Sequence, residues 1–142
     1  MIEVTSDRSR IDVDRVHAWL AGVYWSIGIP RDVVARAMER SLCFAAFVDG
    51  VQVGFARAVT DATTFAYVCD VIVDEAFRGK GVGKELMAAM MAHPDLQGLR
   101  RMSLVTRDAH SLYEPLGFKA LGHPERHMEV VRPSIYNEPV QP

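Results

Sequence analysis

The chain has 142 residues, a length that suits one domain (1–142) around one core, and its 49% apolar and 24% charged residues fit a soluble globular protein. The formal net charge of −2 gives no general attraction to nucleic acid or to membrane surfaces, so any anion binding must be local. No apolar run reaches the roughly 18 residues of a membrane span, and the acidic, alternating start Met1-Ile2-Glu3-Val4-Thr5-Ser6-Asp7 is not a signal peptide.

Ile2–Thr5 reads as a short first strand. Asp12 can cap a helix whose Val13, Val16, Leu20 and Val23 fall near one face. The stretch from Tyr24 to Pro30 breaks it, and Pro30 opens a second helix with Val33, Val34, Ala37 and Met38 inward. Leu42–Val48 is an apolar run that meets Asp49-Gly50, a hairpin signal, and Val51–Thr60 is the returning strand. After the turn Asp61-Ala62-Thr63, residues 64–73 form a long β-rich strand. A glycine-rich turn follows, then a helix over 81–92 with Val82, Leu86 and Met90 on one face. Residues 102–106 read as a strand, 109–116 as a short helix, and 118–121 with 127–131 as a last pair of strands. This order predicts an α/β fold: a mixed, mostly antiparallel central sheet with helices on both faces. Cys43 and Cys69 sit inside apolar strand-like runs and read as small buried hydrophobes in a reducing compartment, so a cytoplasmic location is expected.

The segment Arg78-Gly79-Lys80-Gly81-Val82-Gly83-Lys84 is an anion site in outline. A turn that opens a helix aims unpaired N–H groups at one spot, and the helix dipole adds partial positive charge. Glycine at 79, 81 and 83 lets a phosphate approach the backbone, while Arg78, Lys80 and Lys84 surround it with charge. A P-loop is excluded because Gly83-Lys84 is followed by Glu85 and position 78 is not glycine. A dinucleotide fingerprint is excluded by the 79, 81, 83 spacing and by the antiparallel hairpins that precede it.

What remains, Arg-x-x-Gly-x-Gly between a strand and an amphipathic helix, resembles the pyrophosphate-binding motif of the GCN5-related N-acetyltransferase superfamily. A second segment, Ala109-His110-Ser111-Leu112-Tyr113-Glu114-Pro115-Leu116-Gly117-Phe118, is similar to that family's Ala-x-x-Leu-Tyr-x-x-x-Gly-Phe segment, in the right order and about thirty residues on. The resemblance implies the acyl-CoA N-acyltransferase fold, acetyl-CoA as co-substrate, and no metal. It places the diphosphate on residues 79–84 and the pantetheine arm beside Val71, Ile72 and Val73, in the gap where this strand splays from the next. A backbone N–H near Ile72 or Val73 would stabilise the tetrahedral oxyanion. Relatives often carry asparagine four residues before the motif's alanine, or three in the closest variants; here those positions are Val105 and Thr106, and Thr106 could contact the pantetheine through its hydroxyl or backbone.

The resemblance also implies that Tyr113 is the acid for the departing sulfur, and a phenol with reference pKa near ~10 keeps its proton at neutral pH and is competent for that role. A lysine-like amine costs about 4.6 kcal/mol to deprotonate at pH 7, so a base or a water chain is needed. Asp70, in an otherwise apolar strand and alternating with Val68 and Ile72, is the first candidate, ahead of Asp61 and Glu114. The resemblance places the acceptor wall near residues 24–30, so Tyr24, Trp25 and Phe65 could line an acceptor pocket, and mid-strand Arg57 could read an acceptor carboxylate. The function expected is transfer of an acetyl group to the primary amine of a small molecule. A protein or peptide acceptor and a non-catalytic acyl-CoA sensor are the alternatives. A homodimer is compatible with this fold.

Overall fold

The computed structural model describes residues 1–137. Five strands, β1 (Ile2–Thr5), β2 (Leu42–Val48), β3 (Val51–Thr60), β4 (Phe65–Val73) and β5 (Arg101–Leu104), form one sheet in sequential order. The first four pair antiparallel, and β5 pairs parallel to β4. Helices α1 (Val13–Leu20) and α2 (Arg31–Glu39) precede β2, α3 (Val82–Ala92) follows β4, and α4 (His110–Tyr113) follows β5. No helix among the described residues is long and apolar enough to cross a membrane.

The apolar run of β2 follows from burial on both faces. Phe44 and Ala46 join the layer that includes Leu86, Met87 and Met90 of α3, whereas Cys43, Ala45 and Phe47 join the layer of α1 and α2 with Val16, Leu20 and Val34. Helix α3 lies close across β3 because Gly54 has no Cβ: one built there would stand 3.0 Å from Leu86 Cδ1 and Val82 Cγ1. The β2–β3 turn is Asp49-Gly50 with both φ angles positive, 50° and 78°, the type I′ geometry that suits a two-residue hairpin. Asp12 caps α1 by accepting the Arg15 N–H.

Two expectations fail. Residues 118–121 and 127–131 are not strands: among the described residues the sheet ends at β5, and most of the chain from Lys119 to Asn137 is extended or turning and exposed. Strand-like composition alone gives no ladder without an edge to pair with. Val68 and Ile72 also do not share a face. Asp70 has φ 54° in the middle of β4, and the register passes from Arg57↔Cys69 to Phe55↔Ile72, so two residues of β4 oppose Ala56. This β-bulge reverses the alternation: Val68 packs toward α3 and Ile72 toward α1 and α2.

Candidate active site

The bulge opens the cleft. Pairing of β4 with β5 runs from Phe65↔Arg101 to Val68↔Leu104 and stops there. Beyond it the strands part around a cavity of about 240 Å³ lined by Cys69, Asp70 and Val71 on one side and by Leu104, Val105 and Thr106 on the other. Tyr24, Trp25, Tyr67, Asp108 and Tyr113 complete its wall. Aspartate tolerates the left-handed backbone of the bulge better than a β-branched residue would, which accounts for an acidic residue in this apolar strand.

The cavity continues into a trench. Its next section, about 430 Å³, shares Tyr24, Trp25, Val71, Asp108, Ala109 and Tyr113 with the cavity and adds Ile72, Val73 and Arg78. A further section of about 520 Å³ shares Val73, Arg78, Gly83 and Leu112, and reaches Gly79, Gly81, Val82 and Lys84. The sequence motifs thus become the two ends of one channel. Gly79 and Gly81 have φ 77° and 86° with open space where a Cβ would be. Gly81 is the N-cap of α3 and no side chain caps that helix, so its first-turn N–H groups lack an intrahelical partner and open on the trench. Gly83 is already in the helix, where a Cβ would meet Leu112 at ordinary contact distance, 3.5 Å. Arg78 donates from Nε to the Val73 carbonyl, 3.3 Å, and Lys80 lies 5.4 Å over the Phe77 ring.

At the cavity end, Asp70 and Arg57 form an ion pair, Nε to Oδ2 2.9 Å, with side chains only 17% and 14% exposed for Arg57 and Asp70 respectively. Burial is the largest single influence on Arg57 and by itself would lower its pKa, but the opposing influences together, Asp70 foremost with Cys69 and Cys43, hold the guanidinium above its usual value. Arg57 also donates to Ser41 Oγ, and Trp25 Nε1 donates to Asp70 Oδ1, 3.2 Å. Two of the carboxylate's acceptor positions are therefore taken. Arg57, expected to read an acceptor's carboxylate, is occupied by Asp70 instead. Arg107 stacks 3.7 Å over the Tyr24 ring, which in turn meets Trp25 edge-on.

Tyr113 lines both the cavity and the trench and is 7% exposed. Burial, then Asp108 and Tyr24, pushes its pKa above that of a free phenol. Thr106 Oγ1 accepts the Ala109 N–H at 3.0 Å, which fixes the entry to α4 while leaving the hydroxyl proton free to donate.

A family model described as Acetyltransferase (GNAT) family matches residues 11–118. A curated Gibberella zeae protein named "Putative acetyltransferase FG08082" is 30% identical over 140 residues, covering 82% of this chain and 78% of that protein. The chain belongs to the GNAT acetyltransferase family. A crystal structure assigned to the GNAT family from Xanthomonas campestris pv. campestris superposes with TM-score 0.94 at 47% identity, covering 97% of this chain and 98% of that one. The fold is shared with AAC(6')-Iy, solved with the bisubstrate analogue CoA-S-monomethyl-acetylneamine, at TM-score 0.64 and 22% identity, with 93% of this chain and 98% of that one covered. The protein is an acetyl-CoA-dependent acetyltransferase.

Against this GNAT frame, some candidates move. Phe65 lies at the far end of β4, opposite Arg101 and next to the Asp61 turn, and does not line the cavity; Tyr67 on the same strand does. Asp61 is a turn cap, accepting from the N–H groups of Thr63, Thr64 and Phe65 and from the Thr64 hydroxyl. These bonds, above all from Thr64, hold its pKa well below the carboxylate range. Glu114 faces a separate groove. Tyr67, Arg107 and Asp108 are not singled out by the sequence, and Cys69, read there as a buried hydrophobe, is only partly buried and lines the cavity; Arg107 and Asp108 directly precede the Ala109 segment, and that adjacency is the signal that could find them. Cys69 lines the cavity, but burial raises its thiol to about 12, and that of Cys43 to about 11. Both are protonated at neutral pH, and neither is an activated nucleophile.

Proposed function

We propose that this GNAT enzyme acetylates the primary amine of a small molecule by direct attack on the thioester, through a tetrahedral intermediate and without a covalent acyl-enzyme. The observation that carries this reading is the continuous trench from the turn at residues 78–84 to a cavity of only about 240 Å³, with Tyr113 at the junction. In this reading the diphosphate rests on the N–H groups at Gly79, Lys80, Gly81, Val82, Gly83 and Lys84. Arg78, Lys80 and Lys84 supply charge, and each charge-assisted bond contributes roughly 1.5–3 kcal/mol. The pantetheine arm runs along Val71, Ile72 and Val73, where the bulge has released β4 from β5, and pairs with main chain as an added strand would. A main-chain N–H of this segment polarises the thioester carbonyl and holds the oxyanion. AAC(6')-Iy, of the same fold, is described with CoA and an acetylated neamine joined in one analogue, a precedent for both substrates sharing one channel.

Tyr113 donates its proton to the thiolate as the C–S bond breaks; burial keeps that proton in place at neutral pH. Asp70 retains lone pairs for an N–H of the acceptor, but it already balances Arg57. It is better placed to orient the amine, with Trp25 and Tyr24 beside it, than to remove its proton, which leaves through water at the open side of the cavity. Cavity volume favours a small acceptor over a peptide. The test is release of free CoA thiol from acetyl-CoA across a panel of small amines and lysine peptides. The reading predicts acceptor-dependent release with small amines. Tight acetyl-CoA binding without any acceptor-dependent release would replace it with a sensor.

A further inference from the structure

Charge along the channel is sorted by sign. The trench section between the glycine turn and the cavity holds two guanidinium groups, Arg78 and Arg107. No lysine, arginine or histidine lines the cavity itself, where the charged side chains are Asp70 and Asp108. Cys69, Tyr67 and Tyr113 stay neutral at neutral pH, because burial raises all three above their ordinary values.

The two carboxylates are not equivalent. Asp70 is balanced: Arg57 Nε stands 2.9 Å from its Oδ2, and the Trp25 indole donates to its Oδ1. It can aim an N–H but has no net charge left for a cation. Asp108 has no such balance, since no basic side chain among the described residues pairs with it. The neighbouring cation, Arg107, is turned onto the Tyr24 ring at 3.7 Å and lines the trench section, not the cavity. That stacking pins the loop on one side of Asp108, and the Ala109 N–H donating to Thr106 Oγ1 at 3.0 Å pins it on the other. Asp108 lines both the cavity and the trench, as Tyr113 does, and its charge reaches that phenol. An unbalanced carboxylate fixed beside the reacting centre, with Trp25, Val68 and Leu104 on the walls around it, is complementary to one positive charge on an otherwise uncharged body.

We infer that Asp108 receives the acceptor's ammonium, and that the cavity selects small amines with no carboxylate of their own. The inference rests on the small-amine reading above and narrows it. An α-amino acid carries its carboxylate on the carbon next to the nitrogen, so the carboxylate enters the cavity with the amine. No cation there is available to it: Arg57 is held by Asp70 and Arg107 by the Tyr24 ring. The carboxylate would lose water without gaining a partner and would face Asp108 as a like charge. Rejection is therefore built from charge and not from size.

NMR titration of the protein saturated with CoA, which has no acetyl group to give, tests this through the indole N–H signals. The Trp25 indole bonds Asp70 in the cavity wall, and the Trp19 indole, bonded to Asp74 outside the cavity, is the internal reference. The probes share one skeleton: isoamylamine; leucine, the same amine with a carboxylate; leucinamide, with that carboxylate made neutral; and isoamyl alcohol, with no charge. Isoamylamine should shift the Trp25 signal and not that of Trp19, with a dissociation constant at least about tenfold below that of leucine, and leucinamide should recover most of the difference. Asp108→Asn keeps the shape and removes the charge. It should weaken isoamylamine at least about threefold, shrink its lead over leucine and leave the alcohol unchanged. Leucine bound as tightly as isoamylamine, or no Trp25 shift with any amine, overturns the inference. So does an Asp108→Asn variant that keeps the full lead or that weakens amine and alcohol alike. Acetyl transfer is read separately, as CoA thiol released from acetyl-CoA. Selective binding with no thiol released by any probe upholds the charge selection and removes the small-amine acetyltransferase reading. Equal release with leucine and isoamylamine does the reverse.

Discussion

The two ends of the trench are built by different means. At the turn of residues 78–84 the parts proposed to bind are main-chain N–H groups, exposed by two glycines with φ near 80° and an uncapped helix start. At the cavity they are side chains drawn from five elements and loops, held by one ion pair and one indole bond to Asp70. A site made of backbone tolerates side-chain changes and fails when a φ angle is forbidden. One made of converging side chains fails when a single buried partner is lost.

The sharpest break is at the cavity end. Asp70→Ala leaves Arg57 buried and uncompensated, and should lower unfolding stability by about 3–5 kcal/mol in a denaturant titration. Removing both charges with Arg57→Met should recover part of it. If Asp70→Ala is no less stable than wild type, the ion pair is not what holds this wall.

Next comes Tyr113→Phe, which should lower kcat by about 100-fold while the acetyl-CoA dissociation constant stays unchanged. An unchanged rate assigns the ring to packing alone. The wild-type pH profile refines the same point. Because burial raises the phenol above its ordinary pKa, Tyr113 stays protonated at neutral pH, and any alkaline loss of kcat due to this acid should have its midpoint at higher pH than an ordinary phenol's. A Tyr113-dependent decline near neutrality would contradict the stated direction. The smallest effect belongs to Cys69→Ala: with its thiol pushed up to about 12, the residue is not a nucleophile, and kcat should change by no more than about twofold. Loss of turnover there would indicate an acyl-enzyme.

The contrast also decides what could be read before the fold was known. Glycine, arginine and lysine at fixed spacing announce a backbone site because its chemistry is local, and the Asp49-Gly50 hairpin was legible for the same reason. The cavity was half legible. Tyr24, Trp25, Asp70 and Tyr113 do converge, but Phe65 does not, and Tyr67 takes its place. The cause is the bulge at Asp70. Simple alternation carries no mark of an extra residue, so faces beyond it were assigned to the wrong side. That Arg57 is occupied by Asp70 was equally hidden, because the pairing depends on how β3 meets a bulged β4. The strands expected at 118–121 and 127–131 have the composition but no ladder, since pairing is a property of two segments and not of one.

The central claim is that the main-chain turn at residues 79–84 grips a diphosphate. Calorimetric titration of wild type and Gly81→Val with acetyl-CoA and with acetyl-pantetheine, which lacks the diphosphate, tests it most directly. Valine is strained at φ 86°, so the turn must deform. Acetyl-CoA affinity should then fall at least about tenfold, the equivalent of one lost charge-assisted bond, with acetyl-pantetheine affinity unchanged. Equal losses for both ligands, or no loss for either, would contradict the account.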